Sequence, residues 1–191
     1  MTSSQEQSQQ HTKDLVLNVF PAVMLEKGYI KMTVQDIIKR ANIGRTTFYA
    51  HFTSKEDVLK GSIDRLRDNL LSAVSQDEST REGYLTFTFY FFDHIISHNK
   101  FYDDLVGRDD FFIVERYILR MLTDLLNREI KLIPGCDAQS SRAELVVQHL
   151  VGAIWATSVW TLERKHLSAE MVNGCFQDMA LPGFEKIIKT L

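Results

Sequence analysis

The chain has 191 residues, 45% of them apolar and 25% charged, the make-up of an ordinary folded protein, which excludes wholesale disorder. A net charge of −3 and a pI near 6.1 argue, taken alone, against a nucleic-acid partner. The charge is unevenly divided, however: residues 1–60 hold eight Lys and Arg against six Asp and Glu, and the rest hold fourteen against nineteen. A mildly basic head on an acidic body fits a DNA reader whose contacts are few and local.

Cys136 and Cys175 lie far apart and in no CxxC pair, so neither a structural zinc site nor a disulfide framework is expected, and a reducing compartment is the plain reading. The N-terminal MTSSQEQSQQHTK lacks the apolar core of a signal peptide. The longest apolar run, Leu145 to Trp160, is interrupted by Gln148 and His149 and falls short of the ~20 residues that cross a bilayer. The expectation is a soluble, cytoplasmic protein without a membrane segment.

In chain order, residues 1–11 read as a disordered, solvated tail. From Thr12 an amphipathic helix carries Leu15, Val16, Val19, Phe20, Val23 and Met24 as one stripe and ends at Gly28. Pro21 lies inside it, where it removes the bond to the carbonyl of Leu17 and is expected to kink the axis. Thr33 and Asp36 resemble a capping box for a second helix, with Val34, Ile37, Ile38 and Ala41 as its apolar face. Asn42 and Gly44 tolerate a positive φ and break the pattern. A third helix, Arg45 to His51, turns Phe48 and Phe52 inward and exposes Arg45, Thr46, Thr47, Tyr49 and His51, a set suited to phosphates and base edges. Helix, tight turn and short helix together predict a helix-turn-helix.

Thr53 with Glu56, or Ser54 with Asp57, caps a long helix that runs to about Val74 with no linker between head and body. Ser75 to Gly83 is a polar loop. In YLTFTFYFF, residues 84–92, Leu85, Phe87, Phe89 and Phe91 alternate as a strand would, but a lone strand leaves its backbone unpaired, so a buried helix to about His98 is expected. A short element at 101–106 stops at Gly107. A helix from Asp109 or Asp110 carries Phe111, Val114, Ile118, Met121, Leu122 and Leu125 inward and stops at Pro134 and Gly135. Ser141 with Glu144 caps a long apolar helix to about 164, and a last helix spans about 168–180, followed by a closing turn or short helix at 182–188. The chain reads as all-α.

No GxSxG, Gly-rich phosphate loop or paired-carboxylate motif is present, so the chain is not expected to be an enzyme, and no cofactor is implied. His94 and His98 stand four apart on one helical face and could chelate a transition metal, but ordinary hydrogen-bonded histidines are the simpler reading, and no metal is expected.

The stretch GYIKMTVQDIIKRANIGRTTFYAHFTSKEDVL resembles the N-terminal signature of the TetR family of one-component bacterial transcriptional regulators, over about Thr12 to Leu59. The resemblance implies an N-terminal three-helix DNA-binding domain, 12–58, joined by a continuous helix to a helical ligand-binding and dimerisation domain, 59–191. It further implies a homodimer on a palindromic operator in double-stranded DNA, acting as a repressor that a small-molecule effector releases. The rival reading is a helical small-molecule or metal-binding protein whose DNA-reading head is degenerate. Carried onto this chain, Tyr49, His51 and Lys55 match positions that touch phosphate, Thr33 sits at a helix N-terminus suited to phosphate, and Arg45, Thr46 and Thr47 lie where base edges are read. Asn42 stands where the turn usually has Gly, Gly44 where a Ser often caps the recognition helix, and Pro21 where a good helix former is usual.

KFYDDLVG and the apolar run from Val146 faintly resemble the subgroup that includes regulators of dihydroxyacetone metabolism, and imply no particular ligand. Candidate pocket aromatics are Phe87, Phe91, Phe101, Phe112, Tyr117 and Trp155. The last two long helices match the family's dimer-forming pair, with Gly152, Ala156, Val159 and Trp160 as candidate interface residues.

Overall fold

The computed structural model describes residues 2–77, 84–133 and 137–188. Among these the chain is helical throughout, with helices α1 (Thr2–Lys27), α2 (Val34–Ala41), α3 (Arg45–Tyr49), α4 (Lys55–Gln76), α5 (Phe87–Ser97), α6 (Asn99–Val106), α7 (Phe111–Lys131), α8 (Ser141–Leu162) and α9 (Ala169–Ile188). They form two compact units: Met1–Arg65 with Gly107–Tyr117, and Leu66–Val106 with Ile118–Leu191. The all-α architecture is as expected, and α4 is the continuous helix that starts in the head and ends in the body. The head also takes in residues 107–117, which the expected boundary at 58/59 leaves with the body.

In the first unit, α1 begins at Thr2, ten residues before the expected start at Thr12. Gln7, Gln9, Gln10 and His11 are exposed, so the polar stretch is solvated as its composition requires, but helical rather than disordered. Pro21 does not end the helix. The carbonyl of Leu17 that it leaves without an intrahelical partner accepts from Arg65 Nη2 at 3.2 Å, and Arg65 Nη1 donates to Asn18 Oδ1 at 2.8 Å. Gly28, at φ +75°, closes α1 with its N–H on the carbonyl of Met24. Val16, Phe20, Val23 and Met24 are buried with Ile37, Phe48, Val58 and Leu59, the core on which α2 and α3 rest. Ser54 provides the α4 cap, its Oγ accepting from the N–H of Asp57 at 3.1 Å.

In the second unit α5 is a helix rather than a strand. It begins at Phe87 because Leu85 sits in the left-handed region at φ 57°. Phe87, Thr88, Phe91, Phe92 and Ile95 are buried, the stripe of a helix and not the alternation of a strand. α5 packs on α8 and α9, and α6 on α8. The α8 cap is Ser140 rather than Ser141, its Oγ accepting from Ala143 N at 3.2 Å. α8 has 22 residues and contains an 18-residue stretch with a mean hydropathy of 1.4, long and apolar enough to cross a membrane by those measures alone. Its Val147, Leu150, Ile154 and Leu162 are instead core residues. α9 runs on through Pro182, so residues 182–188, expected as a separate closing turn or short helix, are the last part of one helix. The stop signal at Pro134 and Gly135, Cys136, and most of the 75–83 loop lie outside the described residues.

Candidate nucleic-acid interface

The capping box forms as the sequence predicts. Thr33 is extended, its Oγ1 accepts from Asp36 N at 3.3 Å, and Asp36 Oδ2 accepts from Thr33 N at 2.9 Å. Lys27, hydrogen-bonded to Asp36, pulls that carboxyl down to about 2, assisted by Thr33. Thr33 is exposed, but its N–H and hydroxyl are already engaged in this box. Asn42 takes the left-handed conformation, φ 52° and ψ 45°, which an Asn adopts at modest cost. Three residues later α3 starts.

α3 is only five residues long, ending two residues before the expected His51, and it has no side-chain cap. Gly44 holds N-cap geometry, φ −74° and ψ 153°, so the helix begins there without a hydroxyl. Tertiary packing makes up the deficit: Phe48 and Phe52 are buried, their rings 5.8 Å apart, and fix the inner face. Arg45, Thr46, Thr47 and Tyr49 are then left exposed together, Tyr49 by 46%. The Arg45 guanidinium lies 5.7 Å from the centre of the Tyr49 ring, which holds the cation over that face without consuming its donors. Arg45, Thr46, Tyr49 and Ala50 line a shallow open depression. His51 is half-buried beside it. The arrangement offers one forked cation, two hydroxyls and a phenol on a single convex helix, able to donate to phosphate oxygens and to base edges.

Lys55 is placed differently from the expectation. Its Nζ donates to the carbonyls of Tyr29, Ile30 and Met32 at 2.8, 3.0 and 2.9 Å and lies 4.9 Å from the Tyr29 ring centre. An ammonium has three protons, and all three are engaged. Lys55 therefore ties the α1–α2 turn to the start of α4, and a phosphate would have to displace a carbonyl to reach it. Tyr29 is pushed up to about 12, chiefly by burial and then by the charge of Glu56.

In the second unit a half-open cavity of about 360 Å³ lies among Leu71, Val74, Tyr84, Phe87, Leu125 and Glu129. Of the six expected pocket aromatics only Phe87 lines it. Phe91 and Trp155 lie elsewhere in that unit, as does Phe101, while Phe112, 61% exposed, and Tyr117, bonded to Glu56, belong to the first unit. Glu129 is the polar group that sequence reading missed. It falls on the apolar register of α7, seven residues after Leu122 and four after Leu125, and an acid on an inward stripe is the signal that marks it. Its Oε2 accepts from Leu85 N at 2.9 Å, and burial pushes its carboxyl up to about 7 against the pull of the Leu85 and Thr86 amides.

His94 and His98 face one another with rings 4.4 Å apart. His94 Nε2 pairs with the Tyr102 hydroxyl at 2.9 Å, and His98 Nδ1 donates to the His94 carbonyl at 2.9 Å. Along α8 and α9 a second groove, about 430 Å³, is lined by Ala156, Trp160, Leu167, Met171, Cys175 and Met179, with Trp160 50% and Met179 75% exposed. Gly152 and Ala156 are exposed on the same helix and Val159 is half-buried.

Residues 22–61 match the profile of bacterial regulatory proteins of the tetR family. An uncharacterised HTH-type transcriptional regulator of Bacillus subtilis, YxbF, is 36% identical over 72 residues, 35% of this chain, but the match spans only 19% of YxbF's own length. The HTH-type transcriptional repressor KstR2 of Mycobacterium tuberculosis is 25% identical over 186 residues, 90% of this chain and 92% of that one. The crystal structure of a TetR transcriptional regulator from Streptococcus agalactiae superposes with a TM-score of 0.54 at 25% identity, covering 94% of this chain and 99% of that one.

Proposed function

We propose that this chain, whose residues 22–61 match the profile of the tetR family of bacterial regulatory proteins, is a transcriptional repressor that works in the cytoplasm, binds a palindromic operator as a homodimer, and is released by a small-molecule effector. The observation that carries this reading is α3: a helix too short to persist alone, anchored by buried Phe48 and Phe52, with Arg45, Thr46, Thr47 and Tyr49 all turned outward. Two copies would set their α3 helices about 34–36 Å apart, in successive major grooves on one face of the duplex. The exposed apolar stripe of α8 and α9, with Gly152, Ala156, Val159 and Trp160, supports pairing through those two helices, as in four-helix bundles. The cavity beside Glu129 is the proposed effector site. An effector would favour one of two conformations that differ in affinity for the operator.

A mobility-shift titration with the DNA upstream of the protein's own reading frame tests this. Tight binding relative to random DNA, lost in Arg45→Ala and Tyr49→Ala, is expected. Binding no tighter than to random DNA, and indifferent to both substitutions, removes the reading. The degenerate-head alternative loses its main support, because Gly44 takes N-cap geometry and α3 forms without the missing hydroxyl.

A further inference from the structure

We propose that the cavity among α4, α5 and α7 takes an apolar ligand bearing a single positive charge, with Glu129 as its counter-ion. The proposal rests on the effector reading above only for its biological meaning; the chemistry is that of the cavity itself. The walls are apolar, from Leu71 and Val74 on α4 and Leu125 on α7, with Tyr84 and Phe87 presenting aromatic rings. At about 360 Å³ the cavity admits a small drug-sized molecule.

Into this setting α7 brings a carboxylate, and none of the ion pairs among the described residues includes it. Its partners are backbone amides: Oε2 accepts from Leu85 N at 2.9 Å, and the Thr86 amide also bonds to it. A carboxylate has about four lone-pair sites, so two amides leave room for a further donor. A charge drawn this far out of solvent without a counter-ion is costly, and partial burial pushes this carboxyl up to about 7. A cation entering the cavity removes that cost, while an anion adds to it. Aromatic faces beside the carboxylate favour the same sign of charge. Arg128 also borders the cavity, but it is exposed, where solvent screens its opposing charge.

Glu129 also has a structural task that makes the site a lever. Its amide partners bracket Leu85, held left-handed at φ 57°, and lead into α5. The Leu85 carbonyl accepts from Thr88 Oγ1 at 2.7 Å and from Gln177 Nε2 at 3.0 Å, so the same turn is bonded to α9. A ligand that draws on Glu129 thus acts on the turn that starts α5.

Calorimetric titration of the full chain with benzyltributylammonium, and separately with 4-hexylbenzoate, tests the assignment. The cation is expected to bind one per chain and at least about tenfold more tightly than the anion, a comparison that needs no variant. Glu129→Gln keeps an acceptor for the Leu85 amide and removes the charge; it should weaken the cation by about tenfold or more and leave the anion no weaker. Equal or tighter binding of the anion, absence of cation binding, or an unchanged cation affinity in the folded Glu129→Gln protein overturns the proposal. A mobility shift run with the same cation separates the two readings. Glu129-dependent binding without loss of the DNA complex upholds the ligand chemistry and counts against the effector reading.

Discussion

Asp110 holds Ile30 across eighty residues of sequence: its Oδ2 accepts the backbone N–H of Ile30 at 2.9 Å. Its neighbour Arg108 caps the end of α1, Nη1 donating to the carbonyl of Leu25 at 3.0 Å, and Arg108 Nε reaches Asp110 Oδ1 at 3.3 Å. Gly28 lies beneath this clip. A Cβ there would stand 2.4 Å from Arg108 Nη2 and 2.8 Å from Asp110 Oδ2, at a φ of +75° that other residues rarely take. Burial pushes the Asp110 carboxyl up, but the Ile30 amide and the Arg108 guanidinium outweigh it and hold the group below the usual carboxylate value. The segment between α6 and α7 is in this way part of the head.

Removing the clip should therefore loosen the first unit. Asp110→Ala leaves the Ile30 amide without its acceptor and is expected to cost about 1–3 kcal/mol. Gly28→Ala is expected to cost at least about 1 kcal/mol from its φ alone, with the displaced Arg108 in addition. Hydrogen exchange at Ile30 and along α2 is the measurement. Protection unchanged in Asp110→Ala would show that the clip contributes nothing.

Lys55 gives a second test, and it separates two roles. With its three protons on the carbonyls of Tyr29, Ile30 and Met32, Lys55→Ala should lower head stability by about 2 kcal/mol. The slope of log affinity against log salt should barely change. A phosphate contact would do the reverse, flattening the slope by about one unit with little effect on the melting temperature.

Pro21 and Arg65 should be energetically coupled. Arg65→Met leaves the Leu17 carbonyl with neither an intrahelical nor a side-chain partner, and about 1–2 kcal/mol is expected to be lost. Pro21→Ala restores an N–H that can bond that carbonyl within α1, so the same Arg65→Met change should cost less in its presence. Denaturant melts of the four proteins give the coupling, expected at about 1 kcal/mol. Strict additivity would mean that Arg65 does not serve the orphaned carbonyl.

The pH dependence of stability should reflect two half-buried groups of opposite sense. Glu129 rises from 4.5 to about 7, so the folded state holds its proton more tightly, and its contribution is full below pH 4.5 and is lost as pH rises through 7. His94 falls from 6.5 to about 4, because burial and then the charge of His98 disfavour its cation. Its contribution is full above pH 6.5 and is lost as pH falls through 4. Between pH 5 and 6.5 the two slopes oppose one another, each about 1 kcal/mol per unit, and the parent protein should be nearly flat. Glu129→Gln should become more stable with rising pH in that window, and His94→Gln less stable. Thermal melts at pH 5.0 and 6.5 decide it; both variants remaining flat would remove the assignment.

The sequence by itself determined the helices and the local devices that start and stop them. Thr33 and Asp36 cap α2, Asn42 turns left-handed, and Phe48 and Phe52 point inward, because each depends on neighbours within about one helical turn. Even the ambiguous 84–92 run was legible as helix from Phe87 onward, because a lone strand would leave its backbone unpaired, although 84–86 form the turn before it. Tertiary structure decided the rest. Whether Lys55 meets phosphate or carbonyls depends on where residues 29–32 fall, and whether Gly107–Tyr117 belongs to the head depends on Asp110 finding Ile30. Likewise, which aromatic lines the cavity beside Glu129 depends on how α4, α5 and α7 meet, and of the six expected Phe87 is the one that does. These are contacts across tens of residues, and a periodic pattern carries no record of them: spacing along a helix fixes which face a side chain occupies, while the packing of that face fixes what it touches.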